Sequence, residues 1–186
     1  MRRLVSVVVF VCLLFGCGHD STYLNNVISL RNRVNNSQDC SFVSDVTLDY
    51  GDTFYSFCVG CHIDAENNMS FVINEPASIA GICGQISGGT GKLSFDEHLL
   101  AFEMLADGNI TPIAAPWFFI CALKSGYINA CGSYDSGYLV RIDDSFNGTD
   151  YSLEIVFTED NAPSIVDILW NGKRIVSMKI RDFLTL

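Results

Sequence analysis

Apolar and polar residues alternate with a period of two along most of this chain. Met69, Phe71 and Ile73 alternate with Ser70 and Asn74, and His98, Leu100, Phe102 and Met104 alternate with Ala101 and Glu103. That period, interrupted by Pro76 and by the glycines from Gly84 to Gly91, predicts short antiparallel strands joined by turns. The stretch from Met69 to Met104 reads as the middle of one long sheet, because the pattern continues on both sides of it. Upstream, Phe42, Val46, Leu48 and Tyr50 share one parity and Asp45, Thr47 and Asp49 the other, as in a strand with one wet face. Gly51-Asp52 then turns the chain into a strand from Thr53 to Asp64. Downstream, Tyr138, Val140 and Ile142 alternate with Leu139, Arg141 and Asp143, and Asn147-Gly148 turns into Tyr151, Leu153, Ile155 and Phe157. After a turn at Asp160 to Pro163, Ile165 to Trp170 and Lys173 to Ile180 form a hairpin across Asn171-Gly172, a dipeptide suited to the left-handed backbone of a two-residue turn.

Two segments depart from this period. In DSTYLNNVISLRNRVNN, Asp20, Ser21 and Thr22 offer N-caps, and Tyr23, Leu24, Val27, Ile28, Leu30 and Val34 form a helical apolar stripe. Arg31 and Arg33 stand near its end, where positive charge suits the helix dipole. Between the two runs of strands, Pro116 suits a first helical turn, Trp117 to Ser125 a short helix and Gly126 its stop. Trp117, Phe118, Phe119, Ile120 and Leu123 cover most of that helix's circumference, so it must be buried or plug the mouth of something. The reading is α+β: one domain over 17–186, with a helix at about 21–36, an antiparallel meander at about 41–182 and a short helical insert.

Composition adds an address. The chain is 49% hydrophobic and 17% charged, which excludes disorder. Much of the apolar excess lies in MRRLVSVVVFVCLLFGCG, where Arg2 and Arg3 precede a run from Leu4 to Phe15 that is too short for a membrane span. Residues 1–16 are expected to be a signal peptide. Leu14-Phe15-Gly16-Cys17 resembles the bacterial lipobox, although Phe15 is bulkier than the usual occupant; ordinary cleavage nearby is the alternative. The resemblance implies that Cys17 is the lipid attachment site and the new N-terminus, with each acyl methylene contributing about 0.8 kcal/mol to membrane binding. Loss of Arg2 and Arg3 would make a net charge of −10 more negative by two. Such a surface argues against nucleic acid and against docking on anionic headgroups.

Beyond Cys17 lie Cys40, Cys58, Cys61, Cys83, Cys121 and Cys131. An even number in an exported chain suits a disulfide framework, and buried free thiols are the alternative. Cys58-Val59-Gly60-Cys61-His62 fits the C-x-x-C-H attachment pattern of c-type haem. The strand-like Thr53 to Phe57 before it and the polar turn after it are the wrong setting, so no cofactor is expected. A thiol redox role for Cys58 and Cys61 would need a turn at Gly60, since residues three apart in a strand face opposite sides. Gly88-Gly89-Thr90-Gly91-Lys92 fails as a phosphate loop, because Ile86 and Leu93 stand where glycine and a hydroxyl residue are needed. Asp143 to Gly148 lacks the closing glutamate of a calcium loop. With no serine elbow, no motif around His19, His62 or His98 and no paired carboxylates, no catalytic residue and no metal site is assigned; the chain is not expected to be an enzyme.

Phe71 to Gly81, a strand running into a proline bend and a second strand, together with Gly91 to Asp96 and the closing hairpin Ile168 to Ile175, resembles the lipoprotein-carrier (Lol-type) and lipid-binding lipoprotein fold. The tail is similar to that of uncharacterised clostridial lipoproteins. The resemblance implies a strongly curved antiparallel sheet, an open half-barrel, wrapped round an apolar cavity with helices as a lid. It also implies binding of a lipid or other hydrophobic ligand, on the extracytoplasmic face of the cell membrane. Phe102, Met104, Trp117, Phe118 and Phe119 are the candidates for the cavity lining, with plain core as the alternative. A non-ligand envelope scaffold or adaptor is the second reading of function.

Overall fold

The computed structural model describes residues 19–49, 54–96, 98–106 and 109–186. The expected signal peptide, the expected lipid attachment site Cys17 and the turn expected at Gly51-Asp52 lie outside these residues. Helix α1 (His19–Asn36) leads into strands β1 (Asp39–Asp49), β2 (Phe54–Asp64), β3 (Met69–Glu75), β4 (Cys83–Ser87), β5 (Thr90–Phe95) and β6 (His98–Glu103). A two-residue ladder of β7 (Leu105–Ala106) with β8 (Asn109–Ile110) and a 3-10 turn (Pro112–Ala114) precede helix α2 (Ala115–Ser125). Strands β9 (Tyr127–Tyr134), β10 (Gly137–Phe146), β11 (Thr149–Phe157), β12 (Pro163–Trp170) and β13 (Lys173–Thr185) complete the chain.

The large sheet has 11 strands in the order β6-β5-β4-β3-β2-β1-β13-β12-β11-β10-β9, each neighbouring pair antiparallel. This corrects the expectation of a single meander centred on Met69 to Met104. The last strand pairs with the first, Ser44 opposite Ile180 and Val46 opposite Met178, so the chain's two ends form the centre of the sheet. Residues 69–104 instead form one side of it, and β6 is a free edge. The sheet is open but strongly bent. Gly89, in the β4–β5 turn, lies so near the ring of Phe146 at the end of β10 that an added Cβ would stand 3.0 Å from it, although six strands separate β4 and β10 in the sheet.

The bend encloses α2. Phe118, Phe119, Ile120, Ala122 and Leu123 are buried, and Phe119 sets its ring edge-on to Phe42 of β1 with centroids 5.7 Å apart. Phe118 meets Tyr151 of β11 at 5.2 Å and Phe146 of β10 at 5.3 Å, also edge-on, the geometry aromatic quadrupoles favour. Helix α1 buries Val27, Leu30 and Val34 and packs Tyr23 against Tyr138 at 4.9 Å, but leaves Leu24 and Ile28 exposed. Its apolar stripe is thus narrower than the sequence suggests. Asp20, Ser21 and Thr22 fall within the helix rather than before it. Arg31 serves the dipole of the other helix: its Nε and Nη2 donate to the carbonyls of Leu123 and Gly126, 2.7 and 2.8 Å away, at the C-terminal end of α2.

Glycines mark the tight places. Asn147-Gly148 and Asn171-Gly172 take the paired positive φ of two-residue hairpin turns. Gly84 and Gly91, expected as turn residues, lie inside β4 and β5. An added Cβ would strike the Phe71 ring at Gly84 and the Phe102 ring at Gly91, so their missing side chains let those rings lie on the sheet. Gly126 ends α2 with φ −63° rather than in the left-handed region; a Cβ there would meet Ile142 Cγ2. Residues 77–81, read as strand, form hydrogen-bonded turns after Pro76, with Gly81 at φ +89°.

Candidate functional site

In β1 to β6 the helix-facing row runs straight across the sheet: Phe42 opposite Cys61, Cys61 opposite Phe71, Phe71 opposite Gly84 and Gly84 opposite Leu93. Side chains on either side of each of these residues point to the outer face. There they form two parallel rows. One contains Ser41, His62, Ser70, Gln85 and Lys92, joined as directly opposite pairs. The other contains Val43, Gly60, Val72, Cys83, Ser94 and Leu99, likewise opposite one another in turn. Leu184 of β13 faces Ser41 and closes one end. Between the rows lies an open trough of about 650 Å³, floored by the backbone of the inward row.

Two bulges flank this trough. In β13, two residues stand opposite Phe42 where one is needed, and Asp182 takes up the excess at φ +52°. In β3 the register slips between Ile73 and Glu75, so Asn74 is the extra residue opposite β2. Bulges strengthen local twist, and a strongly twisted sheet is a saddle: bent toward the helices along one diagonal, hollow on its outer face along the other. That is why Leu99 on the edge strand and Leu184 on β13 line the same hollow.

The walls differ in chemistry. One is apolar or small, with Val72 46% and Leu99 75% exposed and Leu184, at the end, 55% exposed. The other is polar; His62 holds Asp39 at 3.2 Å. Below the apolar wall, Arg181 Nη2 donates to Asp45 Oδ1 at 2.7 Å and lies 3.6 Å from the Cys58 sulfur, so this ion pair marks where the apolar surface stops. Large apolar side chains gathered on the outer face of a sheet whose other face is already packed are what a binding surface requires. The volume lies within the usual range for small-molecule sites, about 300–1,000 Å³.

The residues chosen from sequence lie on the helix side. Phe118 and Phe119 are wholly buried, and Met104 is buried. Phe102 and Met104 border a smaller cleft of about 310 Å³ with Gly89, Thr90 and Phe146. Trp117 is half-buried; its ring stands edge-on to Phe146 and its Nε1 donates to the Asn67 carbonyl at 2.9 Å. Access to Phe118 and Phe119 would require α2 to leave the sheet.

Cys40, Cys58, Cys61, Cys83 and Cys121 are free thiols. Burial pushes the Cys40 thiol up to about 11 and Cys121 up to about 12, and raises Cys61 further, so these stay protonated at neutral pH. Cys58 and Cys61 lie inside the unbroken strand β2, Cys58 on the outer face beside Arg181 and Cys61 on the helix side, with no turn at Gly60. Among the described residues no cluster of His, Cys, Asp and Glu has the geometry of a metal site, and no helix is long and apolar enough to cross a membrane.

The trough escapes a reading of the sequence because its residues occupy the parity assigned to water. The signal is there in Val43, Gly60, Val72, Cys83 and Leu99, small or apolar at consecutive outward positions where charge is expected. It becomes visible only when the strands are set in register.

No protein-family model and no curated protein matches the sequence. Among solved structures, a putative outer membrane lipoprotein-sorting protein domain from Vibrio parahaemolyticus is 6% identical at a TM-score of 0.48, over 86% of this chain and 91% of that one. An uncharacterized conserved protein from Thermus thermophilus is 13% identical at 0.47, over 86% of each chain. The Mycobacterium tuberculosis lipoprotein LppX is 9% identical at 0.42, over 88% of this chain and 96% of that one. No residue role is carried over from any of them.

Proposed function

We propose that this protein is a lipid-anchored lipoprotein of the extracytoplasmic face of the bacterial cell membrane, non-enzymatic, which binds a hydrophobic ligand. The trough on the outer face of β1 to β6 is the binding surface. The anchor rests on the signal pattern ending in Gly16-Cys17. The ligand role rests on one observation: an open trough of about 650 Å³ with Val43, Val72, Leu99 and Leu184 gathered along it. Burying one such side chain fully against a ligand contributes about 1.5–3 kcal/mol, and the ligand's own apolar surface, removed from water at the same time, adds to this against the cost of association. The C-x-x-C-H run is read as ordinary strand sequence, since its two thiols diverge to opposite faces.

The scaffold or adaptor reading draws on a different observation. The helix side is occupied by α2, and β6, the last strand on its side of the sheet among the described residues, exposes Leu99 and Leu100.

Ligand binding is tested with Val72→Asp, which places a carboxylate on the apolar wall at an exposed position and should leave the fold intact. Affinity for a fluorescent fatty acid is expected to fall about ten-fold or more, since an unpaired charge in apolar contact costs more than a lost methyl group. Cys83 supplies a second readout: bound ligand should slow its alkylation, followed by peptide mapping. Unchanged affinity in Val72→Asp together with unprotected Cys83 would remove the trough from consideration.

A further inference from the structure

The two walls of the trough say what kind of molecule fits, given the reading above that the trough is a ligand site. A purely apolar ligand would strip water from the Ser41 hydroxyl and the Gln85 amide without replacing its hydrogen bonds, which costs binding energy, whereas His62 keeps Asp39 and the Ser70 hydroxyl keeps the His62 carbonyl. The trough suits a molecule that is polar along or at one side and apolar for the rest of its length. Charge sets its direction. Lys92, on β5, is the trough's one lysine; it faces the uncharged Gln85 and Ala101 across its ladders and, among the described residues, makes no ion pair. Asp182 lines the opposite end, beside Leu184 on β13. In a chain of net charge −10, an unpaired lysine at one end of an apolar groove with a carboxylate at the other is a local polarity that favours an anion at β5 and disfavours it at β13.

We propose that the trough takes a single-chain amphiphile with an anionic carboxylate head. The head sits on the Lys92 ammonium, and the chain lies across β4, β3, β2 and β1 along Cys83, Val72 and Val43 toward Leu184. Charge-assisted hydrogen bonding anchors the head. Because Lys92 is exposed and the pair is partly screened, the head contributes preference rather than most of the affinity.

The test compares hexadecanoate, hexadecanol and hexadecylammonium, each below its aggregation limit, on the wild-type protein, on Lys92→Gln and on Lys92→Glu. The wild type is expected to bind the carboxylate on the order of three- to ten-fold tighter than the alcohol. Lys92→Gln should erase that ratio, and Lys92→Glu should turn the preference toward the amine. Equal binding of carboxylate and alcohol by the wild type, or a preference that survives Lys92→Gln, overturns the anionic head and leaves the hydrophobic site standing. Binding of none of the three by any variant overturns both.

Discussion

Phe119→Ala is expected to lose about 3–5 kcal/mol of stability, the range for truncating a buried aromatic ring. Phe119 is wholly buried and is the point at which helix and sheet meet: its ring stands edge-on to Phe42 of β1 and 6.2 Å from Phe183, which the bulge at Asp182 has turned inward. Removing it opens a cavity between α2 and the two central strands, where the sheet's own pairing leaves little room to relax. Against a total of about 5–15 kcal/mol for a domain, the variant should be largely unfolded in modest urea where the wild type is folded. Urea melts of the two proteins check this. A loss below about 1 kcal/mol would mean that α2 is not packed on β1 as described, since only surface changes are that mild.

Alkaline pH is expected to unfold the wild type. Cys40 and Cys61 are both buried on the helix side, and burial raises their thiols above the value an unfolded thiol shows, about 8.5. A folded pKa above the unfolded one means that the contribution is fully present below about 8.5 and is lost as pH rises toward the folded values. Each such group then costs about 1.4 kcal/mol per pH unit, so the two together remove roughly 5 kcal/mol over two units, comparable with the whole stability of a small domain. Tyr138, pushed up to about 12 by burial, and Tyr151, raised further and donating to Asp144 at 3.1 Å, add to the trend above pH 10. The expected result, in the presence of a reductant, is a cooperative loss of structure between about pH 9.5 and 11, shifted upward in Cys61→Ala. A midpoint that Cys61→Ala does not move, or ready titration of these two thiols in the native protein at pH 8, would show that they are not buried in this way.

How much of this can be read from the chain depends on how far apart the interacting residues lie. Local pattern is sufficient for the β10 to β13 hairpins: Asn147-Gly148 and Asn171-Gly172 impose the turn, and alternation fixes the inward parity of Val140, Leu153 and Val166. Helix α2 is legible because its apolar residues cover most of its circumference, leaving only the line of Trp117, Cys121 and Lys124 half-buried. Strand β9 is not legible, because Tyr127 to Tyr134 lies at an edge, half exposed, where burial imposes no clean alternation. The position of residues 69–104 is misread for a different reason. Alternation reports which face a residue takes but not which strand it pairs with, and the β1–β13 pairing joins residues more than a hundred positions apart. The trough is a product of that register and of two bulges, which no single strand's sequence announces.

The ligand is expected on the outer face of β1 to β6 rather than beside α2. Diffraction from crystals soaked with a fatty acid brominated along its chain locates it directly through the anomalous scattering of bromine. Bromine is expected between the rows of Val43, Val72 and Leu99 on one side and Ser70, Gln85 and Lys92 on the other. Bromine on the helix side, next to Phe102, Met104 or Trp117, with the trough empty, would contradict it.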